Sequence, residues 1–321
     1  MDMNEAHNAE LRKLLLESCG IMAGYTQNCR NDFVAHNSSQ TRSENTTCCD
    51  WYHSVWQYLR VLDCVSSPQW HYDFYKNAFE KVFNKKSAVR ILISGTADYS
   101  LLYLIISLLA DKKNCNAQID IVDLCPTPLE ICKWLWDKLK NSCKNIAVRT
   151  IISNITMYSS DYKYDIICAD AFLTRFSSHE SKSVVAKWEE MLDDGGRIIT
   201  TVRLNDLAKK NVKPHVIDIS DDINTFCSKV TKAYDGLSSE DKRKMNISAE
   251  DLRFMAFRYI IRMRSNVLGE QDKISELFGS MGLRINDDES KIHAVKGEIR
   301  ETMYYGVVAQ KSTKKLSGGR K

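Results

Sequence analysis

Apolar positions along the chain follow two periods, and the change between them falls near Val89. Before it, Leu11, Leu14, Leu15, Cys19 and Met22 recur at i, i+3, i+4 spacing, which predicts a helix in residues 1–30. Residues 31–49, NDFVAHNSSQTRSENTTCC, are rich in Asn, Ser and Thr and predict a loop or linker. Helical spacing resumes over residues 50–63 and, after Ser-Ser-Pro, over 70–84. From Val89 short apolar runs predict strands at 90–94, 118–123, 147–153, 164–169, 197–203, 282–286 and 304–309, with helices at 101–110, 128–140 and 178–192 between the first five. Residues 206–270 break this rhythm with two charged helical stretches, 221–234 and 249–265, and predict a helical insertion before the last two strands. Strands alternating with crossover helices predict an α/β fold, a mainly parallel seven-stranded sheet with helices on both faces. The expected organisation is an N-terminal helical region or lid (1–86), a ligand-binding α/β domain (87–310) and a basic, disordered tail (311–321).

Composition narrows the class. With 45 Lys and Arg against 41 Asp and Glu, a net charge of +4 does not suggest a dedicated nucleic-acid binder. No apolar run approaches the ~20 residues of a membrane span. The N-terminus, MDMNEAHNAELRK, mixes charges of both signs and does not read as a secretory signal. A cytoplasmic protein is therefore expected, and the 11 cysteines, lacking any C-x2-C pair, are expected to be free thiols with no metal site.

In open α/β sheets ligands sit at the carboxyl ends of the strands. The first such loop, RILISGTADYS, carries one glycine, Gly95, where G-x-G-x-x-G would be expected for a dinucleotide, and Asp98 would repel a phosphate. An ordinary strand–helix turn is the alternative. Asp123 ends the second strand 28 residues after Gly95, placed to accept both ribose hydroxyls of a nucleoside or to serve as a helix cap. Asp120, within that strand, is the rival acid. The third loop offers Ser153 and Asn154 for an adenine amino group, or a plain turn, and Ile155 for the ring. The fourth strand ends in Cys168-Ala169-Asp170.

The ordered strings ILISGTADYS, IDIVDLCPTPL, IISNIT, YDIICADAFLTRF and MLDDGGRIITTVRL resemble the motifs of class I S-adenosylmethionine-dependent methyltransferases, well over residues 87–205 and loosely over 271–310. The resemblance implies a Rossmann-like sheet closed by an antiparallel strand, and S-adenosylmethionine as cofactor with S-adenosylhomocysteine as product. It also implies that Gly95 flanks the methionine moiety, Asp123 holds the ribose, and Asn154 with Ile155 contacts adenine. Thr96 and Leu124 beside them, Asp170 facing the transferred methyl, and Tyr52 from the N-terminal helices complete the implied set. Two departures from the family pattern stand out: a single glycine in the first loop, and Asn154 where an acid is usual.

Methyl transfer needs positioning more than proton chemistry, and no triad stands out. His53, His179 and Asp170 are the weak candidates for a base. The aromatic cluster Trp51, Tyr52, Trp56, Tyr58, Trp70, Tyr72, Phe74 and Tyr75 is expected to serve mainly as core. Arg60, Arg175 and Arg203 could neutralise an acidic substrate, though surface ion pairs are the default. The expected activity is methylation of an O, N or C nucleophile on a small molecule, with nucleic acid and membrane disfavoured as partners. A binding or scaffold protein that has lost catalysis, and a protein or RNA methyltransferase, are the alternatives.

Overall fold

The computed structural model describes residues 3–37, 49–110, 112, 115–204, 219–263, 266, 268–299 and 301–311. The tail from residue 312 and the first part of the insertion, 205–218, lie outside the described residues.

The parallel strands are β1 (Ala88–Ser94), β2 (Asn116–Asp123), β3 (Ile146–Ile152), β4 (Tyr164–Ala169) and β5 (Leu192–Arg203). They are joined by α4 (Ser100–Ala110), α5 (Pro126–Leu139) and α6 (Ser178–Met191). β6 (Leu283–Ile285), β7 (Lys291–Val295) and β8 (Thr302–Lys311) close the chain, with β8 antiparallel to β5 and inserted between β5 and β6. The order β3-β2-β1-β4-β5-β8-β6, with β7 paired to β8, gives eight strands where seven were expected. The extra strand, β7, buries only Val295 fully and so carries almost no apolar signal. This parallel block, in which the order of connection reverses between β1 and β4 and which β8 extends in the antiparallel sense, is a Rossmann-like, doubly wound sheet.

Alternation along each strand assigns the two faces. Ile91, Ile93, Ile166, Cys168 and Ile199 join one core, and Leu92, Ile167, Ala169, Ile198 and Val202 the other. The first core takes in α4 and α5 together with α1 (Met3–Asn37), α2 (Asp50–Val61) and α3 (Tyr72–Phe83). The second is covered by α6 and α10 (Gln271–Ser280), including Trp188 and Phe278. Helices α7 (Ile219–Asp235), α8 (Ser239–Met245) and α9 (Ala249–Arg262) form the described part of the insertion and also pack into the first core, through Phe226, Val230, Leu252 and Tyr259.

Helix α1 runs to Asn37, into the segment expected to be a loop. Residues 31–37 contain no Gly or Pro, so an established helix propagates through them at little cost. Residues 38–48 lie outside the described ones. No described helix is long and apolar enough to cross a membrane.

Candidate functional site

Strands β1 and β4 lie side by side while the chain leaves them in opposite directions, so the crevice at their carboxyl ends is the natural ligand position. After β1, Gly95 takes φ +72° and its N–H donates to Val122 O at 2.8 Å. A Cβ here would lie 2.1 Å from the Phe172 ring, so only glycine fits both the conformation and the space. Asp98 then caps α4, its Oδ1 accepting from Ser100 N at 2.7 Å. Its Oδ2 accepts from Trp56 Nε1 at 3.1 Å and faces Arg60 Nε at 3.3 Å. Arg60 also donates to Ser100 Oγ at 2.9 Å and to Gln69. Arg60 and Asp98 are 5% and 4% exposed, so this is a buried ion pair. Arg60, expected at the surface, is instead the pin between α2 and the first loop. A carboxylate fills the helix N-terminus where a pyrophosphate would bind.

After β2, Asp123 Oδ2 accepts from Thr96 N at 2.9 Å and Oδ1 from Cys125 N at 2.8 Å. The carboxylate thus joins the first and second loops and keeps one further lone pair on each oxygen. Burial pushes its carboxyl up to about 6, against the lowering by those two N–H bonds. The rival Asp120 is fully buried and held by Arg149 at 2.8 and 3.1 Å and by the Tyr164 hydroxyl at 2.7 Å. Its hydrogen-bonding capacity is spent inside the sheet. Leu124 is 71% exposed.

At the end of β3 the structure divides the expected adenine contacts. Ile155 is buried in the core with Leu92 and Val122. Asn154 Oδ1 accepts from Thr156 N at 3.1 Å and Thr156 Oγ1 at 2.9 Å, which occupies both its lone pairs. The turn role therefore takes up the oxygen intended for the adenine amino group. Ile152, paired in register with Asp123, and Met157 are exposed, as is Leu124. Leu124 is in the set that the resemblance implies; Ile152 and Met157 are not, because the alternating pattern marks Ile152 only as a strand residue.

After β4, Asp170 Oδ1 accepts from the Tyr75 hydroxyl and from Thr201 Oγ1, each at 2.8 Å. Burial raises its carboxyl to about 6, and the two hydroxyls oppose that. Ala171, at φ +49°, donates its N–H to Thr201 Oγ1 at 3.0 Å and turns the chain out of the sheet. Tyr52 stacks on Trp56 at 4.8 Å and lies under the Arg175 guanidinium at 5.5 Å. Burial raises its hydroxyl pKa, and the Arg175 guanidinium opposes that. Arg203 pairs with Glu298 at 3.8 Å.

The histidines separate. His53 is buried beside Tyr52 and Cys125. His179 is exposed in the first turn of α6, next to the capping box formed by Ser177 and Glu180. His71 is buried, with its Nδ1 2.7 Å from Nε2 of His293 on β7 and its ring against Tyr304. Burial and His293 lower its pKa to about 3. Nothing in its local sequence gives the pairing, because His293 lies on the strand that the apolar pattern does not show. Among the described residues, the one group of metal-ligand type is Cys29, Cys49 and Cys125.

No family model and no curated protein matches the chain. Solved structures do. A S-adenosylmethionine-dependent methyltransferase from Clostridium acetobutylicum is 11% identical with TM-score 0.48, covering 79% of this chain and 96% of its own. An O-methyltransferase family protein from Burkholderia thailandensis is 12% identical with TM-score 0.48, covering 91% of this chain and 73% of its own. A magnesium protoporphyrin IX methyltransferase from Synechocystis, solved with S-adenosylmethionine bound, is 10% identical with TM-score 0.47, covering 85% of this chain and 100% of its own. At such distances nothing about chemistry transfers; the order and direction of the strands alone give the fold.

Proposed function

We propose that the chain is a S-adenosylmethionine-dependent methyltransferase acting on a small molecule. The observation that carries this reading is the pair of carboxylates at the switch point. Asp98 sits where a dinucleotide would need a phosphate site, and Asp123 sits where a ribose is held. A nucleoside with no phosphate and a positive charge fits that arrangement.

When bound, S-adenosylmethionine supplies an electrophilic methyl group on a sulfonium sulfur. Asp123 accepts the ribose hydroxyls on its remaining lone pairs, and Gly95 lets the chain pass close to the methionine part. Leu124, Ile152 and Met157 give the adenine ring an apolar wall in place of Ile155. Asp170, fixed by Tyr75 and Thr201, faces the acceptor side, where its carboxyl near 6 lets it take a proton from an acceptor hydroxyl or amine at neutral pH. Tyr52, from α2, closes the mouth and excludes water. A cytoplasmic location belongs to the same reading.

A second reading, a binding protein without catalysis, draws on Asn154, whose oxygen is committed to its own turn. Calorimetric titration with S-adenosylmethionine and S-adenosylhomocysteine, with NAD as control, tests the cofactor reading. Binding of both adenosyl ligands and not of NAD is expected. Binding of NAD alone, or of none, overturns it. Methyl transfer to no member of a broad panel of hydroxyl and amine acceptors, despite tight cofactor binding, favours the second reading.

A further inference from the structure

Three cysteines that are far apart in sequence meet beside Asp123. Cys29 comes from α1, Cys49 immediately precedes α2, and Cys125 precedes α5 in the loop after β2. Their sulfurs form a triangle with sides of 4.0 Å (Cys29–Cys49), 3.9 Å (Cys29–Cys125) and 3.0 Å (Cys49–Cys125). Four ligands around a zinc ion with Zn–S near 2.3 Å place their sulfurs about 3.8 Å apart. Two sides already have that length, and the third needs an opening of about 0.8 Å. A disulfide would join two of these thiols and leave the third with no role, whereas a triangle is three corners of a tetrahedron. The fourth corner has a candidate just outside the triangle: His53 stands one helical turn after Cys49, is 6% exposed, and has a buried Nδ1 with no hydrogen-bond partner.

We propose that Cys29, Cys49, Cys125 and His53 bind a structural zinc ion that clamps α1 and α2 onto the loop carrying Asp123. Thiolates with an imidazole suit zinc and not the oxygen-seeking magnesium or calcium. Binding releases the protons of the thiols to solvent. The clamp reaches the cofactor loop directly, because Cys125 N–H donates to Asp123 Oδ1 at 2.8 Å. The site departs from the sequence expectation of no metal, which rested on the absence of closely spaced cysteine pairs. Here each ligand segment belongs to a different part of the fold, and only Cys49 and His53 are near neighbours in sequence. The inference does not depend on the methyltransferase reading.

The test is zinc content by plasma mass spectrometry on the full chain, purified under reducing conditions without chelator. One zinc per chain is expected. Cys29→Ser, which lies on α1 away from Asp123, should weaken zinc retention by at least about tenfold, the low end of what even outer-shell partners contribute. Cys227→Ser, at a buried cysteine elsewhere, should keep it. Should Cys29→Ser fail to fold, alkylation of the wild-type chain replaces it: zinc should shield Cys29, Cys49 and Cys125 from iodoacetamide, and chelator should expose them. Three results overturn the proposal. They are no zinc after reduction and zinc titration, equal zinc in Cys29→Ser and wild type, or a Cys49–Cys125 disulfide when thiols are blocked at lysis.

Discussion

At Asp123 burial and hydrogen bonding act against each other, and burial wins, leaving the carboxyl near 6. The ribose hydroxyls of the proposed cofactor donate more strongly, and to both oxygens, when Asp123 is ionised, so affinity should fall as pH drops through 6, by at most about tenfold per unit. Asp123→Asn keeps one acceptor oxygen and loses the charge. It should weaken binding by roughly 1.5–3 kcal/mol, about ten- to hundredfold, and remove the pH dependence. Calorimetry at pH 5, 6 and 7 on both proteins checks this, and a wild-type affinity that is flat with pH contradicts it. The same raised carboxyl has a stability consequence of definite sign. A carboxyl whose folded pKa exceeds the unfolded value near 4 penalises the folded state once ionised, so its contribution worsens as pH rises from about 4 to 6. At this scale the sequence shows Gly95 and Asp123, because strand-end position and residue type select them. It does not show what Asp98, Asn154 and Ile155 do, since a capping bond, a turn and a pleat direction depend on atoms several residues away.

Between elements, the contact that fixes the lower wall of the site is Arg60 of α2 on Asp98 at the start of α4. Removing one partner of a buried ion pair leaves the other charged and uncompensated, at a cost of about 3–5 kcal/mol. Arg60→Met should therefore lower unfolding stability by that amount in urea titrations. Adding Asp98→Asn should restore part of it, because the amide keeps an acceptor for Ser100 N without the charge. A loss under about 1 kcal/mol for Arg60→Met would mean that water reaches the pair. Helical and strand periods recover α2, α4, α5, α6 and β1 to β4 to within two residues, since each buries a regular face, and β5 apart from its first five residues, where Gly195 and Gly196 hide the strand. They fail at β7, whose side chains are mostly exposed, and at the end of α1, where helix propagation overrides a polar composition. The same limit hides the His71–His293 contact and the cysteine triangle, both of which join elements that only the assembled fold brings together.

Across the whole molecule, the N-terminal helices share a core with the sheet and do not form a separate cap. Leu11, Leu14, Leu15, Cys19 and Met22 of α1 are each less than 9% exposed and belong to the same cluster as Ile91 and Ile93 of β1. The Ser18 hydroxyl meets the Tyr99 hydroxyl at 2.9 Å, and Arg12 Nη1 donates to Val61 O at 2.7 Å. Burying one large apolar side chain contributes about 1.5–3 kcal/mol, so the apolar stripe of α1 is comparable with the 5–15 kcal/mol that holds a typical domain together. A lid that opens by swinging α1 away would expose that stripe and unfold the core behind it. Any opening for substrate must therefore come from elsewhere along the mouth, where the Arg175 guanidinium lies over the Tyr52 ring. Deleting residues 1–48 should accordingly give a chain without a cooperative thermal transition, one that binds exposed-surface dyes such as ANS. A truncated chain that melts like the full-length protein would show that α1 is detachable and would return the N-terminal region to the lid role that its sequence suggests.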